Sequence, residues 1–83
     1  MASKQLTLIS RSYCHLCTDM EAALKELKNE LDFELVVVDV DADPELVERF
    51  NELVPVLLDD CGRELCHYFL DAHKVRESLI SLG

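Results

Sequence analysis

Residues 5 to 10, QLTLIS, form a short apolar-rich segment that predicts a strand. Residues 15 to 31 follow a different rhythm: Leu16, Met20, Ala23, Leu24, Leu27 and Leu31 recur at helical spacing, so this stretch predicts a long amphipathic helix. Its opposite face carries Glu21 and Lys25, an i,i+4 pair of the stabilising orientation, and Asp19 and Glu21 suit the positive N-terminal end. Residues 33 to 41, FELVVVDVD, are a nearly continuous β-branched run, which predicts an interior strand covered on both faces and parallel to the first through a right-handed crossover.

Asp43 and Pro44 then start a short helix, Asp43 as its cap and Pro44 in its first position, with Leu46, Val47 and Phe50 on the apolar side and Leu53 leading out. VPVLLDD, CGR and ELCHYF read as an antiparallel hairpin whose turn centres on Cys61 and Gly62. Asp71 opens a last helix with Ala72, Val75, Leu79 and Leu82 as its apolar stripe. The predicted class is α/β, in the order β-α-β-α-β-β-α, with no repeat, linker or low-complexity segment.

At 83 residues the chain is expected to be one domain, 1 to 83, close to the size where a single core is marginal. Half of it is apolar (49%), with two glycines and two prolines, the composition of a packed globule. Eight Lys and Arg against 17 Asp and Glu give a formal charge of −9, which repels phosphate backbones and anionic membranes and argues against nucleic-acid or membrane partners. The N-terminus MASKQLTLIS lacks a long apolar region and a cleavage motif, and the longest run of large aliphatics is Leu35 to Val38. A cytoplasmic location is expected, where four cysteines point to redox chemistry, metal binding or inert burial rather than structural disulfides.

Cys14 and Cys17 stand three apart where the long helix begins. A thiolate there is stabilised by unpaired backbone N–H groups and the helix dipole, so the Cys14 pKa is expected to be lowered. Arg11 and a protonated His15 act in the same direction, Asp19 and Glu21 against it. Cys17 shares a helical face with Met20 and Leu24, which predicts an accessible nucleophile at Cys14 and a shielded resolving thiol at Cys17. A pair of small core residues and half of a metal site are the alternatives. A four-cysteine zinc site is disfavoured because the first pair opens a helix and the second spans a hairpin rather than forming two short knuckles. Cys61 is expected at the hairpin tip and Cys66 along the returning strand, too far apart in register to pair, with His67 and His73 structural.

With Cys14-His15-Leu16-Cys17 at the start of the first helix, Arg11 where glutaredoxins often carry a cation, and Val54-Pro55 opening the third strand, nearly the whole chain resembles the small bacterial glutaredoxin-like proteins with a CHLC motif, of the thioredoxin-fold superfamily. The resemblance implies a four-stranded mixed sheet with three helices and a thiol–disulfide oxidoreductase acting through Cys14 and Cys17. It also implies a cis bond before Pro55, an ordinary trans proline at the start of the strand being the alternative. Because a proline in a strand avoids a ladder position, the Val54 backbone is expected to be free to pair with an extended substrate, and Arg11, Tyr13, His15, Val54 and Pro55 are the candidate substrate-binding residues.

The expected partners are a protein or small-molecule disulfide and a reductant, glutathione or a thioredoxin-reductase type; no bound cofactor and no metal are expected. His15-Leu16 replaces the Pro-Tyr pair common in glutaredoxins. Tyr68-Phe69-Leu70-Asp71 stands where a glutathione-binding glycine pair precedes an aspartate, so Asp71 keeps a capping role while bulky core or groove-wall side chains replace the exposed backbone. A non-catalytic module holding a protein partner or a metal ion in the same groove is the rival class.

Overall fold

The computed structural model describes residues 4–80. Strand β1 (Lys4–Ser10) is followed by helix α1 (His15–Leu27), strand β2 (Phe33–Asp39), a 3-10 turn over Val40–Ala42, helix α2 (Pro44–Phe50), strands β3 (Val56–Leu58) and β4 (Glu64–His67), and helix α3 (Ala72–Ile80). The element order matches the sequence expectation; Leu82 lies outside the described residues.

The sheet order is β2-β1-β3-β4. β1 pairs with β2 in parallel, Lys4 opposite Phe33 through Ser10 opposite Asp39, and with β3 antiparallel, Thr7 opposite Leu58 and Ile9 opposite Val56. The two-residue period of a strand sends Leu6 and Leu8 into one core with Met20, Leu24, Leu27, Phe33, Leu57, Cys66 and Val75, and sends Ile9 into a second with Val40, Phe50 and Val56. α1 and α3 cover the first of these cores, and α2 closes the second with Phe50 and Leu46.

One expectation is overturned. β2 is an edge strand, not an interior strand covered on both faces, and Val36 and Val37 remain 38% and 45% exposed. β3 returns to the far side of β1, so β1 and β3 become the doubly paired strands and, among the described residues, one flank of β2 has no neighbouring strand. A β-branched run reports a preference for pleated backbone, not a place within the sheet.

Element ends differ for local reasons. α1 stops at Leu27 rather than residue 31, but Leu31 still packs on the core because the chain tightens there, with Glu30 N–H donating to Leu27 C=O at 3.0 Å. With α1 starting at His15, no acid falls in its first turn, so Asp19 and Glu21 do not stand at its N-terminal end; the Glu21 to Lys25 pair forms at 3.2 Å. Asp43 caps α2 through its side chain on the Glu45 N–H at 2.9 Å, Pro44 takes the first position, and the Asp71 side chain accepts from the Lys74 N–H at 3.2 Å at the start of α3. In the hairpin, Asp59 accepts from the amides of Cys61 and Arg63 at 2.8 Å each, and Gly62 takes φ +85°, a conformation its missing Cβ makes cheap.

Candidate active site

Between β1 and α1 the chain turns over Arg11 to Tyr13, and Tyr13 does so with φ 60°, its side chain fully in solvent. That reversal delivers Cys14 in an extended conformation as the N-cap of α1. The Cys14 sulfur accepts the backbone N–H of Cys17 at 3.1 Å, and its carbonyl accepts both the Thr18 N–H and the Thr18 hydroxyl at 3.1 Å. A sulfur thus takes the place that Ser or Asp usually fills, facing amides that have no partner within the helix.

Cys14 and Cys17 are joined as a disulfide with Cα atoms 5.2 Å apart, inside the usual range for such bonds. Cys14 is half-buried, whereas Cys17 is 3% exposed and lies on the face of α1 that carries Met20 and Leu24 into the core. The geometry is that of an approachable sulfur backed by a shielded one.

The other sequence-selected residues divide. His15 is exposed at the first position of α1. Arg11 is engaged by Asp41 and Asn51: its guanidinium donates to both carboxylate oxygens of Asp41 at 3.1 Å, to the Asn51 carbonyl at 3.5 Å and to the Asn51 side chain. It fastens the cysteine loop to the 3-10 turn and to the end of α2.

The Val54–Pro55 bond is cis, Pro55 is buried, and among the described residues nothing pairs with the backbone N–H or C=O of Val54. Continuing the β1 to β3 register beyond Ile9 and Val56 sets Pro55 level with Ser10 and Val54 level with Arg11, at the end of the sheet where the cysteine loop begins. Tyr68 and Phe69 are not core residues: they are 39% and 69% exposed. Their backbone leaves the strand because Tyr68 adopts φ 63°, which ends β4 at His67.

The remaining thiols stay apart. Cys61 is exposed at the hairpin tip and Cys66 is buried in the first core, both free. Burial pushes the Cys66 thiol above the ordinary thiol value, against a lowering hydrogen bond from the Asp71 backbone. His67 pairs with Glu64 at 2.7 Å and His73 with Glu77 at 2.9 Å. Sequence reasoning did not find Asp41, Asn51 or the contacts of Tyr68. The only sequence signal was the Asp-rich run after β2, where Asp39 accepts the Asp41 N–H at 2.9 Å and so bends the chain.

Comparison with known proteins places this geometry in a family. Residues 5–80 match the Glutaredoxin-like domain (DUF836), and the chain belongs to that family. Uncharacterized proteins of Mycobacterium tuberculosis and Mycobacterium bovis are each 33% identical over 84 residues, covering 95% of this chain and 86% of theirs. A protein from Nitrosomonas europaea solved by NMR superposes with a TM-score of 0.86 at 38% identity, covering 95% of this chain and 94% of that one. A mutant thioredoxin from Halobacterium salinarum superposes with a TM-score of 0.63 at 24% identity, covering 99% and 79%, which establishes the thioredoxin-like fold.

Proposed function

We propose that the protein is a thiol–disulfide oxidoreductase working through the Cys14–Cys17 couple. The supporting observation is the asymmetry of that pair: a half-buried Cys14 sulfur receiving the Cys17 N–H at the start of α1, and a 3% exposed Cys17 behind it. A thiolate on Cys14 gains from the same amide and from the helix dipole, so it is the attacking group.

In the forward cycle the Cys14 thiolate attacks one sulfur of a substrate disulfide and the other leaves as a thiolate that takes up a proton. Cys17 then attacks the Cys14 sulfur, expelling the second substrate thiol. The substrate gains two electrons and two protons, and the protein holds the Cys14–Cys17 bond. The chemistry needs no bound cofactor; glutathione or a thioredoxin-reductase-type protein regenerates the dithiol. Protein or small-molecule disulfides are the substrates, and the unpaired Val54 backbone is the edge on which an extended segment rests.

The test is the redox midpoint of the pair, measured in graded glutathione buffers with alkylation of free thiols and mass-spectrometric location of each label. A reversible two-electron transition between roughly −270 and −120 mV, with Cys14 and Cys17 losing label together, is expected. No intramolecular bond at any poise overturns the dithiol mechanism.

A further inference from the structure

The turn that ends β4 is strained at one residue. Tyr68 holds φ 63°, a left-handed backbone that residues with a Cβ avoid. Across it the Phe69 N–H donates to the His67 carbonyl at 2.7 Å, closing a three-residue γ-turn, whose positive-φ form is rare and strained. An aromatic residue keeps such a conformation only where its surroundings hold it. Glycine would take the same φ without strain, so the tyrosine must be accounted for by its side chain.

That side chain reaches the segment before β3. The Tyr68 hydroxyl donates to the Glu52 carbonyl at 2.8 Å, and the Tyr68 backbone N–H donates to the Pro55 carbonyl at 2.9 Å. Its ring meets His67 edge-on at 4.7 Å, and His67 is itself fixed by Glu64. One strained residue therefore grips both ends of residues 52 to 55. From the other side Arg11 reaches Asn51, and within the segment Leu53 N–H donates to the Phe50 carbonyl at 2.8 Å. Between these anchors Val54 keeps its backbone groups unpaired.

We propose that Tyr68 is a positioning residue: by gripping the Glu52 and Pro55 carbonyls it sets the free backbone edge of Val54, against which an extended polypeptide bearing the disulfide pairs. The substrate part rests on the oxidoreductase reading; the grip does not. A small disulfide that reaches only the sulfurs has no backbone to lay on this edge, so it escapes the dependence.

The test compares Tyr68→Phe, which removes a single oxygen, and Tyr68→Gly, which releases the strain and deletes the side-chain half of the grip while keeping the backbone N–H that faces Pro55, with the unaltered protein. Three quantities are read: steady-state reduction of insulin, steady-state reduction of hydroxyethyl disulfide, and the Cys14–Cys17 midpoint. NMR hydrogen exchange at Leu53 and at position 68 reports the grip independently of activity. For Tyr68→Phe the insulin KM is expected to rise about five-fold, the worth of one hydrogen bond, with kcat, hydroxyethyl disulfide turnover and the midpoint unchanged and Leu53 exchanging faster. Tyr68→Gly is expected to raise the insulin KM at least as far.

An unchanged insulin KM in both variants overturns the proposal, as does a parallel loss on both substrates or a displaced midpoint, which would trace the effect to the dithiol itself. If the unaltered protein reduces neither disulfide, the oxidoreductase reading fails with the substrate part of the proposal. Unchanged exchange in Tyr68→Phe then removes the grip as well, and faster exchange retains it.

Discussion

Cys14 and Cys17 are chemically the same residue, made different by a single turn of helix: one sulfur sits at the cap where amides face it, the other under Met20 and Leu24. On the oxidoreductase reading, replacing Cys17 with Ser leaves the attacking thiol but removes the group that resolves it, so Cys17→Ser is expected to accumulate a mixed disulfide on Cys14, visible by mass spectrometry, while Cys14→Ser forms none on Cys17. In the fully reduced protein at neutral pH, alkylation is expected to label Cys14 first, exposed Cys61 next and buried Cys66 last. Equal rates at Cys14 and Cys61 would remove the argument from the helix terminus.

Cys66 also sets a pH dependence, because burial raises its pKa. Above the ordinary thiol value the unfolded chain releases this proton while the folded chain keeps it, so the unfolded state binds fewer protons and stability falls as pH rises, until the folded thiol ionises too. Below that value the contribution is fully present. A Cys66→Ala variant, compared with the parent by urea denaturation between pH 8 and 10, is expected to show a shallower alkaline decline.

At the scale of elements, the short helix α2 owes its start to Asp43 and Pro44, and with seven residues it has little intrinsic stability of its own. Asp43→Ala is expected to cost about 1 kcal/mol in denaturant unfolding, as the loss of an N-cap does. Because α2 leads into Asn51 and the Val54 edge, the same variant tests whether that segment needs a firm helix before it. The Arg11 to Asp41 link is a different case: its side chains are 32% and 55% exposed, so Asp41→Asn is expected to change stability by less than about 1 kcal/mol. Its consequence is positional, and faster hydrogen exchange in the cysteine loop is the readout.

For the whole molecule, the formal charge of −9 is a long-range field that any charged substrate meets before contact. If the oxidoreductase reading holds, a disulfide peptide flanked by lysines is expected to be reduced faster than one flanked by glutamates at low salt. The gap should close as ionic strength rises past roughly 0.1 M, where screening sets in within about 10 Å. A salt-independent ratio would mean that contact chemistry alone discriminates.

Much of this molecule follows from its sequence read residue by residue. The helical stripe from Leu16 to Leu27, the Asp43-Pro44 cap, the Gly62 turn and the placing of Cys14 before Cys17 rest on interactions within a few residues of one another, where spacing and side-chain type decide the outcome. The tertiary structure alone decided that β2 lies at the edge, because that depends on which flank of β1 receives β3, a contact some fifty residues away in the chain. It alone decided that Arg11 goes to Asp41 and Asn51, and that Tyr68 closes on Glu52 and Pro55. These are hydrogen bonds between distant segments, and their partners are chosen by where the packed sheet carries each chain end, which no local pattern encodes.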